Sequence, residues 1–216
     1  MQTIRVFFVK RDIAKYLSHL DLMRCFTRSV KRTGFPIWYT EGFNPHLYLM
    51  FPAPLSLGFE SEYEVVDMRM EEEQDLGLFV EKLNEALPSG IHVLRAEPAV
   101  MSYKEVAYSR WEILLRSGDI RQAVMGYLDQ ERIMVRRKNK KGVEREEDIK
   151  PLIRSVSVDY ADECLRMTCE LASSPAIGLN PSLFLEGLQV CIPEQQFEVV
   201  RILRTALLNE RGEIFC

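Results

Sequence analysis

The sequence has few of the residues on which small secreted proteins and metalloproteins depend. Its 216 residues include five cysteines and three histidines. The cysteines are scattered and odd in number, which fits reduced thiols better than a disulfide framework. Gly-rich phosphate loops, the helical His-Glu-x-x-His motif of metalloproteases and the Cys/His spacings of zinc sites are all missing. We therefore expect the chain to hold no metal and no cofactor of its own.

Long apolar runs are also missing. The first apolar stretch, Val6 to Val9, is too short for a signal-peptide core or a membrane span, so we expect a cytoplasmic protein. Hydrophobic residues make up 47% of the chain and charged residues 28%, which excludes a disordered chain, a collagen or a coiled coil. A net charge of -4 argues against nucleic-acid binding by bulk charge but leaves room for a local basic patch.

The charge is unevenly distributed along the chain. Residues 1–50 carry 8 Lys/Arg and 3 Asp/Glu, whereas residues 51–108 carry 4 and 12. A positive first segment next to an acidic second one predicts a surface with two faces and a different partner for each.

Apolar periodicity and turn residues predict strand and helix in the order β-α-β-β-α-β over the first half of the chain. Ser18 and Asp21 form a capping box at the start of the first helix, and Gly34 ends it. Residues 41–61, rich in Gly and Pro, are predicted to be mostly loop. The predicted strands cover 4–9, 36–39, 63–68 and 91–94, and the predicted helices cover 19–33 and 75–87.

The second half repeats this order less regularly. Its last element, 197–208, fits a strand slightly better than a helix. We predict an α+β chain of two tandem ferredoxin-like units with antiparallel sheets, covering 1–105 and 106–216. The other predicted elements of the second half are strands at 111–115, 133–137, 152–160 and 164–171 and helices at 119–129 and from 180.

Arginines recur every four residues on the first predicted helix, at Arg24, Arg28 and Arg32. This spacing lines three guanidinium groups along one face, each about 6 Å beyond the last. Arginine binds phosphate through two parallel hydrogen bonds, so the row suits an RNA backbone. A solvated helix face, with cations meeting the helix dipole in the last turn, explains the same residues equally well.

A second basic run lies at a predicted hairpin tip. Hairpin tips of this kind can enter a nucleic-acid groove. Acidic residues at 144–148 follow at once, and pairing of opposite charges across the two strands is the alternative explanation. The basic residues of the run are Arg136, Arg137, Lys138, Lys140 and Lys141.

Two of the three histidines, His19 and His46, are candidates for acid–base chemistry. One imidazole acting as base and one as acid, with Asp21 as a third candidate, could cleave RNA through its own 2′-hydroxyl without a metal. The alternative is structural, because His19 follows the capping Ser18 and Asp21 belongs to the capping box. Nearby, the rings of Trp38, Tyr39 and Phe43 are candidates for stacking on bases, with Asn44 beside them.

The sequence contains four short motifs: Ser18-His19-Leu20-Asp21, Gly42-Phe43-Asn44-Pro45-His46, Pro54-Leu55 with Gly58, and Lys140-Lys141-Gly142 leading to Asp148-Ile149-Lys150-Pro151. They resemble the motifs of a bacterial family of radical SAM-associated proteins of unknown function, and the resemblance spans nearly the whole chain. Family members occur alone or fused behind radical SAM enzymes with a cobalamin-type domain. The resemblance implies that the residues of the first two motifs share one cleft.

The Cys-x3-Cys-x2-Cys triplet of radical SAM enzymes is absent, so the chain resembles the stand-alone subunit. The first hypothesis is an accessory protein rather than an enzyme, which binds tRNA or rRNA and presents it to a partner radical SAM enzyme. One alternative is a metal-independent endoribonuclease or RNA-modifying enzyme that uses His19 and His46. Another is a protein-only scaffold whose acidic segment, 60–75, docks a basic partner.

Overall fold

The described residues of the chain form two compact units of α+β structure, with four α-helices and mostly antiparallel strands. The computed structural model describes residues 1–138 and 144–216. The first unit comprises residues 1–106 and 204–216, and the second comprises 107–203. Residues 204–216 therefore belong with the first unit, whereas the sequence analysis places them in the second. The physical reason is apolar packing, since Leu207 and Phe215 share a core cluster with Phe7.

The first unit is a sheet with two helices. Its strands lie in the order β4-β1-β3, with the very short β2 and residues 204–208 of the last strand, β10, next to β3. The segment predicted as a strand at 36–39 makes only isolated bridges, Ile37 to Met70 and Tyr39 to Leu47. The elements are β1 (Gln2–Lys10), α1 (His19–Thr33), β2 (Leu49–Met50), β3 (Glu60–Met70), α2 (Leu76–Ala86), β4 (Ile91–Pro98) and β10 (Glu198–Leu208).

Both faces of the central strand β1 are buried. Val6 and Phe8 point into the main core beside Phe26 of α1, while Phe7, on the opposite face, packs with Phe215. Alternate side chains of a strand point to opposite faces, so this double burial accounts for the nearly continuous apolar run of β1. The sheet therefore has no open face at β1.

Helix α1 begins and ends at the residues that the sequence predicts. The Ser18 hydroxyl accepts a hydrogen bond from the Asp21 backbone N–H at 3.2 Å. At the other end Gly34 has a φ of 76°, a left-handed conformation that glycine adopts without strain.

We expect Ser18→Ala to lower the free energy of unfolding by about 1 kcal/mol, because the first turn loses its side-chain acceptor. Urea denaturation measures the effect. Ser18→Thr, which keeps a hydroxyl that both accepts from the Asp21 N–H and donates to the Asp21 carboxylate, is the matched control and should retain most of the stability. Equal losses in the two variants would contradict a capping role.

The second unit contains a sheet and a separate ribbon. Its sheet has the order β10-β5-β9-β8, with residues 198–203 of β10, while β6 and β7 pair only with each other. Segment 198–208 is a strand, which confirms the preference drawn from the sequence. The elements are β5 (Tyr108–Arg116), α3 (Arg121–Leu128), β6 (Met134–Lys138), β7 (Glu144–Asp148), β8 (Ile153–Ala161), β9 (Cys164–Ala172) and α4 (Pro181–Cys191). No helix in the described part of the chain has the length and apolar character needed to cross a membrane.

Candidate nucleic-acid interface

The predicted row of arginines lies along an open groove between α1 and the end of α2. The groove has a volume of about 510 Å³. On the α1 side, the Ser29 hydroxyl donates to the Ala86 carbonyl at 3.0 Å, which fixes the separation of the two helices. The residues of the two walls are Arg24, Arg28 and Arg32 from α1 and Ala86, Leu87 and Pro88 from the α2 side.

The charges in this groove are only partly neutralised. Arg24 lies 3.3 Å from the Asp21 carboxylate, whereas Arg28 and Arg32 have no ion pair among the described residues. The Ser18 hydroxyl donates to the Asp21 carboxylate at 2.6 Å. This bond and, to a lesser extent, Arg24 hold the pKa of Asp21 below its usual range. Asp21 thus serves the start of the helix, and two guanidinium groups remain available for an anion.

Residues 38–48 form a small aromatic ribbon next to α1. Its two sides are joined by the bridge from Tyr39 to Leu47 and by a 2.8 Å hydrogen bond from the Thr40 N–H to the His46 carbonyl. At its base, Arg69 lies over the rings of Trp38 and Tyr48, at 5.1 and 4.4 Å from their centroids. At its tip, the Phe43 side chain is fully exposed.

Lys31 connects the ribbon to the arginine row. Its ammonium lies 5.5 Å from the centroid of the Tyr39 ring. Residues three or four apart on a helix are neighbours, so Lys31 lies next to Arg28 on the surface of α1. We call Arg24, Arg28, Lys31, Arg32, Tyr39 and Phe43 the basic–aromatic surface. Cations and exposed rings side by side are the chemistry that binds RNA backbone and bases.

The two candidate histidines have different surroundings. His46 Nδ1 lies 3.0 Å from the Thr40 hydroxyl and 3.1 Å from the Asn44 carbonyl, so its polar contacts are within the ribbon. His19, in contrast, packs edge-on against Phe51 at a centroid distance of 5.3 Å. The described contacts therefore tie one imidazole to the ribbon and the other to the core.

Three motif residues lie in loops, and two of them are glycines with a positive φ. Gly42, next to the ribbon tip, has a φ of 121°, and Gly58 has a φ of 86°. The Gly58 N–H donates to the Lys15 carbonyl at 2.8 Å, which joins the loop before β3 to the segment before α1. Pro45 lies in the ribbon between Asn44 and His46 and is exposed.

A buried ionic cluster lies below the start of α1. Arg204 Nε donates to the Glu64 carboxylate at 2.8 Å, and the same guanidinium donates to the Ala53 carbonyl at 2.7 Å. Lys10 Nζ donates to the Leu17 carbonyl at 3.0 Å. Burial lowers the pKa of Lys10, and Arg204 acts in the same direction while Glu64 opposes both. Residue patterns in the sequence do not predict this cluster. Its only local signal is that Lys10 continues the alternation of buried side chains along β1.

His19 lies at the edge of this cluster. Its Nδ1 atom is buried and has no hydrogen-bond partner among the described residues. Burial lowers the pKa of His19; Lys10 adds to this effect and Glu64 works against it. Burial and Lys10 thus both favour the neutral form of the imidazole.

We expect the free energy of unfolding to decrease as the pH falls below about 6.5, the usual pKa of histidine. In that range the unfolded chain binds a proton at His19 more readily than the folded chain does, so acid favours unfolding. Urea denaturation between pH 5 and pH 8 measures the effect, and His19→Phe should make the dependence shallower. Parallel curves for the two proteins would show that His19 is not responsible.

The two arginines of the second basic run are paired with acidic residues on the opposite strand of its ribbon. Arg137 lies 3.1 Å from Glu147, and Arg136 lies 3.9 Å from Glu146. The Lys138 backbone is in register with Glu144. Cross-strand pairing of opposite charges thus accounts for both arginines. Lys140 and Lys141 lie outside the described residues.

The cysteines show no arrangement typical of a metal site. Cys169 is fully buried on β9, and burial raises its pKa to about 12. Cys164 lies at the start of the same strand and is half-buried. Across residues 1–138 and 144–216, no group of three His, Cys, Asp or Glu side chains could hold a metal ion.

Comparison with solved structures shows a likeness of fold. A chain of a Cbf5-Nop10-Gar1 complex superposes with a TM-score of 0.54 at 7% identity, covering 94% of this chain and 48% of that chain. This chain thus spans about half the length of that neighbour, in which an α+β arrangement like its own is found. An unknown protein from Galdieria sulphuraria matches with a TM-score of 0.28 at 14% identity, covering 92% of this chain and 98% of that chain.

Comparison of sequences gives a family. No curated protein matches the chain. The model of a family described as uncharacterized proteins conserved in bacteria matches residues 3–178, which is well over half of the chain. The protein therefore belongs to this bacterial family, DUF2344.

Proposed function

We propose that this protein binds RNA, either tRNA or rRNA, and presents it to a partner radical SAM enzyme. The observation that carries the proposal is the basic–aromatic surface. Among the described residues, Arg28 and Arg32 form no ion pair. Lys31 lies over the Tyr39 ring of the ribbon, and Phe43 is exposed at the ribbon tip. Arginine side chains bind phosphate oxygens, and exposed rings stack on bases. With a net charge of -4, the whole protein offers no general attraction to RNA, so a local surface has to supply the binding.

The radical SAM partner rests on the resemblance of the motifs. The chain has motifs like those of radical SAM-associated proteins but not the cysteine triplet that holds an iron–sulfur cluster. A separate enzyme would therefore carry out the radical chemistry, and this protein would hold the substrate.

We further propose that each unit is a ferredoxin-like unit. In the first unit the strand order is β4-β1-β3 with β2 next to β3. In the second unit it is β10-β5-β9-β8. Both orders become fourth, first, third, second when the strands are counted along the chain. This count leaves residues 204–208 out of the first unit and treats the β6–β7 ribbon as an insertion in the second. This shared order supports a repeat of the split βαβ arrangement.

Affinity purification of the tagged protein from its native cells tests the proposal, with RNA sequencing and mass spectrometry on the same eluate. One RNA class recovered together with a radical SAM enzyme is the expected result. RNA without the enzyme would reject the presenting role but keep RNA binding. The enzyme without RNA would favour a protein scaffold, in which the acidic segment 60–75 docks the partner. Recovery of neither would contradict the proposal.

A second candidate function is RNA cleavage or modification by this chain itself. The observation that favours it is the Nδ1 atom of His19, which has no hydrogen-bond partner among the described residues, and burial lowers the pKa of this imidazole. A neutral imidazole is the form that acts as a general base. Incubation of a labelled RNA with the wild type and with a His19→Ala/His46→Ala variant tests this function. Cleavage that persists in the double variant would reject it.

A further inference from the structure

We infer that the basic–aromatic surface takes single-stranded RNA and not an RNA duplex; the inference rests on the proposed function. Aromatic rings are exposed at and near the tip of the ribbon. Phe43 is fully exposed, and Tyr39 is 40% exposed with Lys31 over its ring. In a duplex the faces of the bases are covered by neighbouring bases, whereas unpaired bases are free to stack on aromatic side chains. Exposed rings at this position therefore suit an unpaired strand.

The two walls of the groove differ in charge. The cations form a single row on α1, from Arg24 to Arg32, which is about 12 Å long. The opposite wall is uncharged and consists of Ala86, Leu87 and Pro88. A duplex carries two phosphate backbones, whereas one row of cations offers its contacts to one backbone. One short row beside an uncharged wall matches one backbone.

Negative charge lies next to the segment that leads into the ribbon. The Glu71 N–H donates to the Pro36 carbonyl at 3.0 Å, which places the start of the acidic run 71–73 beside the segment that leads into the ribbon. All three glutamates of this run are exposed. Their charge repels phosphate, so it disfavours a second RNA backbone on this side of the surface.

Binding of two fluorescently labelled RNAs tests the inference. One is an unstructured single strand of 12 nucleotides, and the other is the same strand annealed to its complement. We expect the single strand to bind at least tenfold more tightly than the duplex. We also expect Phe43→Ala to weaken binding of the single strand about tenfold or more, since loss of one stacked base has an effect of this size. The same variant should leave binding of the duplex unchanged.

The possible outcomes separate this inference from the proposed function. Equal or tighter binding of the duplex, weakened by Arg28→Glu/Arg32→Glu, would overturn the single-strand preference and keep RNA binding. If Phe43→Ala binds both RNAs as tightly as the wild type does, the stacking role is overturned. Absence of binding to both RNAs would contradict the inference and the proposed function together. Because Phe43 is fully exposed, its replacement should not change the thermal midpoint, and this measurement is the control for folding.

Discussion

Reversal of two charges in the groove of α1 is expected to abolish RNA binding. Arg28→Glu/Arg32→Glu replaces two unpaired guanidinium groups with carboxylates that repel phosphate. For single-stranded nucleic acids, the logarithm of the binding constant falls as the logarithm of the salt concentration rises. The slope is about -0.7 for each phosphate contact. Three contacts, at Arg28, Lys31 and Arg32, predict a slope of about -2 for the wild type. The variant keeps only the Lys31 contact, so its slope should be about -0.7 or shallower, and its affinity should be at least a hundredfold lower.

A matched variant controls for the change in net charge. Arg145→Glu/Arg166→Glu makes the same charge change at two exposed arginines of the second unit. Fluorescence anisotropy at several salt concentrations should show wild-type RNA binding for this control. If the control loses binding and the groove variant keeps it, the RNA site lies in the second unit and the account of α1 is wrong.

Removal of the carboxylate from the buried ionic cluster is expected to have the largest effect on stability. Glu64 is the carboxylate that pairs with Arg204, and Lys10 is buried near both. Breaking a buried pair by removing one partner costs about 3–5 kcal/mol, because the other charge stays buried without compensation. Glu64→Leu should therefore shift the urea midpoint strongly, and Glu64→Leu/Arg204→Met should restore much of the loss.

An exposed ion pair of the same unit is the control for this measurement. Lys82 and Glu85 lie 2.9 Å apart on the surface of α2, and pairs of this kind contribute little to stability. Glu85→Leu should leave the urea midpoint nearly unchanged. If Glu64→Leu and Glu85→Leu have equal effects, the buried cluster does not stabilise the first unit.

The sequence predicts an element of the fold when the residues that determine it are close together in the chain. Helix α1 covers 19–33 as predicted, because Ser18 and Gly34 lie at its two ends in the sequence. The burial of Lys10 and Glu64 has no such local signal. It depends on Arg204, which is 140 residues from Glu64 in the sequence and is brought to β3 only by the final strand. Long-range strand pairing is therefore what the residue patterns could not supply.

The candidate site shows the same division. The spacing of Arg24, Arg28 and Arg32 predicts the row of cations, but the groove exists because the end of α2 packs against the helix. The run that includes Arg136 and Arg137 is an equally strong basic signal in the sequence. Those two arginines are paired with the acidic residues of β7. Whether a basic run stays free for a ligand is decided by the element that packs beside it.

Crosslinking of bound RNA with ultraviolet light, followed by mass spectrometry of the peptides, is the most direct test of the proposed RNA site. The account predicts that the crosslinked peptides come from the aromatic ribbon, 38–48, and from α1. Phe43 at the exposed tip is the residue expected to crosslink most strongly. Crosslinks confined to the second unit, residues 107–203, would contradict the account.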